Sequence, residues 1–72
     1  MERLGNYVKA YRTERGISQN DLAIRVGVTR QTVISLEKGN YIPSLLLAMN
    51  LSEVLGVPIE RLFVKDIVPD RW

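Results

Sequence analysis

The sequence predicts an all-α domain, a compact unit of five short helices. Three observations carry this reading. Glycine and proline fall at helix-length intervals, at Gly16, Gly27, Gly39, Pro43, Gly56, Pro58 and Pro69. Apolar residues between these breaks recur at three- and four-residue spacings. Ser18, Thr29 and Ser44 each stand just ahead of such a stretch, where a hydroxyl can accept from free helical N–H groups. Seventy-two residues, 46% of them hydrophobic, suit one modest core: too few for two cores and too apolar for a disordered chain.

The first helix is expected around Leu4, Val8 and Tyr11, at i, i+4 and i+7, with Tyr7 on the same face. It should end near Arg15, with Gly16 just beyond it. Ser18 begins the second helix, and Asp21, three residues later, makes a capping-box-like pair with it. Leu22, Ala23 and Val26 form the inner face of this helix, which stops at Gly27. Thr29 caps a third helix with Val33 and Leu36 inside, closed by Gly39. Ser44 opens a strongly apolar fourth helix, Leu45 to Leu55, which Gly56 ends. Pro58 suits the first turn of a short fifth helix, Ile59 to Phe63. Beyond that, Val64 to Trp72 shows no clear period, and Pro69 argues against a long helix there.

Composition closes off several functions. With no cysteine there is no disulfide or thiolate metal site, and with no histidine the commonest general base and metal ligand are missing. Catalysis would rest on carboxylates, yet Glu53, Glu60, Asp66 and Asp70 show no convergent pairing, so no enzyme is expected. No phosphate-binding glycine loop or sensing domain is evident, hence no cofactor, metal or small-molecule ligand. Met1 to Gly16 alternates charged and apolar residues, unlike a signal peptide. The longest apolar run, Leu45 to Met49, falls far below the ~20 residues needed to cross a bilayer, so a soluble, cytoplasmic protein without membrane association is expected. Net charge is +2, unevenly divided: residues 1–44 carry seven Lys/Arg against four Asp/Glu, and residues 45–72 three against four. The basic half suits a polyanion.

That half holds a geometric pattern over residues 19–38. Two helices that cross closely need a small residue at the crossing, supplied by Ala23, and a turn residue tolerant of positive φ, supplied by Gly27. Leu22, Val28, Val33 and Leu36 weld the pair, and no proline interrupts it. With Val33 and Leu36 turned inward, Gln31, Thr32 and Ser35 face outward, and Arg30 and Gln31 occupy the first turn. An arginine can pair bidentately with guanine and a glutamine with adenine, each worth ~1–3 kcal/mol of discrimination. By themselves these four residues suit a solvated helix face; set in the surrounding two-helix motif, Arg30, Gln31, Thr32 and Ser35 are the expected base contacts.

The stretch SQNDLAIRVGVTRQTVISLEKG resembles the lambdoid repressor and Cro type of helix-turn-helix, also called the Xre family. Its continuation, EKGNYIPSLLLAMNLSEVLGVPIERLF, is similar to the short single-domain bacterial and archaeal regulators of that family, so the likeness covers Leu4 to Phe63. The resemblance implies a five-helix, lambda-repressor-like domain in residues 1–63, and a transcriptional regulator that binds double-stranded operator DNA as a dimer. Its third helix would lie in the major groove. Gln19 resembles the family's phosphate-binding glutamine at the start of helix two, where free N–H groups also favour an anion. Lys38, Asn40, Tyr41 and Ser44 complete the expected phosphate contacts. Related regulators often carry Lys where Asn40 stands and Asn where Ile42 stands; this loop is less basic, and Ile42 is expected to pack rather than bind. Arg12 and Glu37 occupy the positions of a structural ion pair that locks helix one to helix three.

Helix four carries more apolar residues than the ~100° stripe a singly packed helix needs. Leu46 is the clearest excess, since family members often place a charge there. Together with Phe63, Val64, Ile67, Val68 and Trp72 it is the expected homodimer interface, with residues 64–72 as a tail taking part in it. A palindromic operator and a repressor follow from this reading. The alternative is a protein-interaction module, such as an antitoxin or bridging factor, using the same apolar surface.

Overall fold

The computed structural model describes residues 2–67. Seven elements follow in order: β1 Glu2–Asn6, α1 Val8–Glu14, α2 Gln19–Val26, α3 Arg30–Glu37, α4 Leu45–Leu55, α5 Ile59–Leu62 and β2 Phe63–Ile67. The five helices appear where glycine and proline divide the chain. The two strands correct the expectation of an all-α domain. They pair antiparallel, with Leu4 opposite Lys65, Gly5 opposite Val64 and Asn6 opposite Phe63.

The correction has a physical cause at each end. Leu4 fits a helical spacing, but Gly5 beside it weakens a helix, and the Asn6 Oδ1 accepts from the Val8 backbone N–H at 3.1 Å. That bond starts α1 at Val8, four residues later than the apolar pattern suggests. Phe63, expected in α5, opens β2 instead, and β2 runs through part of the stretch read as lacking a period. Neither strand carries a strong local signal. Each is a strand because the other lies beside it.

The helix starts are made as the hydroxyl positions predict. Ser18 Oγ accepts from Asp21 N at 3.0 Å, Thr29 Oγ1 from Thr32 N at 3.2 Å, and Ser44 Oγ from Leu47 N at 3.1 Å. The Asp21 carboxylate pairs forward with Arg25 at 3.1 Å, so the box at Ser18 is built from the serine's side. Gly27 ends α2 at φ 76°, and its N–H closes on Ile24 O while Val28 N closes on Ala23 O. Only a residue without Cβ takes that left-handed turn at no cost.

One core serves all five helices. Val8, Leu22, Val33, Leu36, Leu51, Leu55 and Leu62 are fully buried, with Ala23, Val26, Leu47 and Val57 around them. Burying one such aliphatic side chain contributes roughly 1.5–3 kcal/mol, against ~0–1 for an exposed ion pair like Arg25–Asp21, so apolar packing sets the fold. Helix α4 buries Leu47, Ala48, Leu51 and Leu55. Its opposite side leaves Leu45 72%, Leu46 69% and Met49 47% exposed.

Candidate nucleic-acid interface

Helix α3 is eight residues, about 12 Å, long. Its inner residues, Val33 and Leu36, are buried against α2, and this rotation fixes the rest of the helix. Arg30 and Gln31 stand exposed in the first turn, while Thr32 and Ser35 are half-buried. The four expected base-contacting residues are thus all on the side away from the core or at its margin. Within the chain, two hydrogen bonds already engage this face. Thr32 shares a hydroxyl hydrogen bond with Thr29 at 3.0 Å, and Gln31 Nε2 donates to Ser35 Oγ over a long 3.4 Å.

Behind α3 sits a polar cluster. Arg12 Nε donates to Glu37 Oε2 at 2.7 Å and its Nη2 to Oε1 at 3.2 Å, a bidentate pair whose side chains are only 9% and 4% exposed. Arg12 Nη1 donates to Ile17 O at 2.8 Å, so the guanidinium also pins the turn between α1 and α2. The pair links α1 to the end of α3, the link that the resemblance implies. Sequence reasoning misses a third member: Gln19 Nε2 donates to Glu37 Oε1 at 3.0 Å. Gln19, expected only to meet a phosphate, is half-buried and held from behind.

Asn6 is a second residue that sequence reasoning passes over. Its Nδ2 donates to Leu36 O at 2.8 Å while its Oδ1 caps α1, so one amide joins β1, the start of α1 and the end of α3. An asparagine two residues before a helix is itself a start signal. The apolar spacing from Leu4 obscured it.

The loop after α3 stays against that helix through Gly39 N to Leu36 O at 3.0 Å and Asn40 N to Ser35 O at 2.9 Å. Lys38, Asn40, Tyr41 and Ser44 are all exposed there. Because Gln19 is bonded to Glu37 and Lys38 follows Glu37 directly, the start of α2 and this loop lie together. Ile42 corrects an expectation: it does not pack, but is 76% exposed, close in sequence to exposed Leu45 and Leu46. The loop lifts it clear of the core, which Leu47 and Ala48 reach instead.

Of the residues expected at a dimer interface, Leu46 stands on α4 and Phe63, Val64 and Ile67 on β2. Leu46 is in the first turn of α4 with Ile42, Leu45 and Met49 exposed near it. Phe63 is half-buried and packs on the core, and Val64 is exposed on β2. Ile67 ends β2 opposite Glu2, while Val68 and Trp72 lie outside the described residues. Among the described residues, no helix is long and apolar enough to cross a membrane.

A helix-turn-helix family model matches residues 8–62, from the start of α1 to the end of α5. The chain belongs to the Xre/Cro-like helix-turn-helix family. Members of this family are DNA-binding transcriptional regulators rather than enzymes. The Xre/Cro-like domain is 52% identical over 60 residues to an HTH-type transcriptional regulator of Methanothermobacter thermautotrophicus, covering 82% of this chain and 87% of that one. Among solved structures it resembles the restriction-modification controller protein C.AhdI from Aeromonas hydrophila, with TM-score 0.70 and 30% identity over 75% of this chain and 82% of that one. It also resembles the N-terminal DNA-binding domain of SinR from Bacillus subtilis, with TM-score 0.66 and 34% identity over 72% and 77% of the two chains.

Proposed function

We propose that this Xre/Cro-like regulator is a repressor that binds a palindromic operator as a homodimer, with α3 in the major groove. The observation that carries the reading is the division of α3: Val33 and Leu36 buried, Arg30 and Gln31 exposed in the first turn. Those first-turn residues are of the types that read guanine and adenine edges, and a recognition helix contacts bases through its N-terminal residues. Thr32 and Ser35 sit beside them and reach a base or a thymine methyl. Gln19, Lys38, Asn40, Tyr41 and Ser44 take phosphates on either side, which fixes the register of α3 in the groove.

The dimer reading rests on apolar surface. Ile42, Leu45, Leu46 and Met49 fall within one short stretch of chain and are each exposed, apolar surface that a second copy of the chain would cover. Two-fold symmetry would set two recognition helices ~34 Å apart, one turn of duplex. The family membership favours DNA over the protein-interaction alternative.

Selection from a random duplex pool at moderate salt tests the whole reading. The expected result is a two-fold symmetric motif with half-sites about one helical turn apart, and Gln31→Ala relaxing the preference at one base per half-site. Failure of a folded protein to enrich any duplex would overturn it.

A further inference from the structure

The cluster behind α3 assigns more to Glu37 than holding helices together. We infer that Glu37 is a positioning residue for DNA binding: its carboxylate orients the Gln19 carboxamide so that one N–H is held from behind and the other is offered to a phosphate. This rests on the reading of Gln19 as a phosphate contact.

The chemistry is one of donors and acceptors. An ionised carboxylate only accepts, so the side-chain group of Gln19 facing Glu37 must be the NH₂ and not the carbonyl. The 3.0 Å bond from Nε2 to Glu37 Oε1 therefore fixes which way the amide is turned. An NH₂ group has two protons; Glu37 takes one and leaves one. Were the amide reversed, it would present a carbonyl oxygen to an anion and repel it.

Two features make the arrangement workable. The Glu37 side chain is 4% exposed and bears a bidentate bond from Arg12, so its negative charge is offset within the protein and does not act freely on an approaching phosphate. Arg12 is in turn fastened to Ile17 O, one residue before the cap of α2. The result is a short chain of charge-assisted bonds from α1 through the last residue of α3 to the first residue of α2. The amide is turned correctly before DNA arrives, and less side-chain freedom is lost on binding.

A double-mutant cycle on operator affinity tests this, with variants Gln19→Ala, Glu37→Gln and both together, measured at a temperature where circular dichroism shows each folded. In Glu37→Gln the new carboxamide either donates or accepts, so it no longer dictates the direction of the Gln19 amide, while it keeps a bond to Arg12. Each single change should weaken binding roughly 3- to 10-fold per bound subunit, the range for one hydrogen bond, and the double variant should be no weaker than either. Multiplying effects overturn the positioning role, as does an affinity for Gln19→Ala equal to that of wild type. A wild-type protein that binds no duplex overturns the DNA reading itself, which is a separate failure. Should Glu37→Gln not fold, the Gln19 side-chain NH₂ resonances of wild type give a second test. Two well-separated protons, one protected from exchange in free protein and both in the complex, support the inference. Averaged, unprotected protons in the free protein overturn it.

Discussion

Glu37→Ala should bring this domain close to unfolding. The substitution leaves the Arg12 Nε and Nη2 without their acceptors at a residue 7% exposed, with only the bond to Ile17 O remaining. It also strips Gln19 of its partner. Breaking one side of a buried ion pair costs about 3–5 kcal/mol, because the surviving charge stays out of water without compensation. A 72-residue domain holds roughly 4–11 kcal/mol in total. Each kcal/mol moves the midpoint of so small a domain by about 4–8 °C, so the lower bound alone predicts a fall of about 12 °C or more. The assay is thermal melting followed by circular dichroism at one fixed protein concentration, since any dimer makes the midpoint concentration-dependent. Replacing both partners, Arg12→Met with Glu37→Leu, should recover at least half the loss, because well-packed apolar groups substitute for a buried pair with little penalty. A Glu37→Ala midpoint within about 4 °C of wild type would refute the argument, since that is what an exposed pair yields.

Other perturbations separate further parts of the structure. Gly27→Ala puts a Cβ at φ 76° with nothing within 4 Å of it, so the penalty is backbone strain alone, roughly 1–2 kcal/mol, and Gly27→Asn should cost less in the same melt. Thr29→Ala removes the cap of α3 and should cost about 1 kcal/mol, with Thr29→Ser close to wild type; equal losses would show that the hydroxyl is not what matters. Leu46→Glu, at a side chain 69% exposed, should leave the melt of the monomer unchanged and shift sedimentation toward a single copy. A dimer that survives this change would place the interface elsewhere. Lys38→Ala should weaken operator and unrelated duplex alike and lower the slope of affinity against salt by about one, whereas Gln31→Ala should affect the operator selectively.

Much of this was legible in the sequence because it is governed by local rules. A hydroxyl at Ser18, Thr29 or Ser44 acts within four residues, and so does the turn at Gly27; the bounds of α2, α3 and α4 followed from local signals of this kind. The inner residues of α3 were legible for the same reason, since Val33 and Leu36 obey helix spacing. What escaped depends on contacts between distant segments. The strands β1 and β2 exist through each other, across about sixty residues of chain. Asn6 meets Leu36 and Gln19 meets Glu37 across separations that no spacing rule reaches. The Arg12–Glu37 pair is as long-range as these and was anticipated only through resemblance to a family. Ile42 was misjudged because a hydrophobic side chain in a loop carries no mark of which way it turns.

The pairing of β1 with β2 also sets an order of assembly. Five helices with short connections can form and dock with little chain to close, whereas matching Leu4 to Lys65 requires the two extremes of the described chain to meet. Contacts of such separation form late and are reached only once intervening segments are in place. The ribbon should therefore be the last part to close and the first to open, with amide hydrogens that exchange well ahead of those in α2 and α4. Asn6 closes β1 and also holds Leu36 O at the end of α3, so a ribbon that opens as far as Asn6 gives up one of the ties on α3, whereas fraying at Glu2 leaves that tie in place.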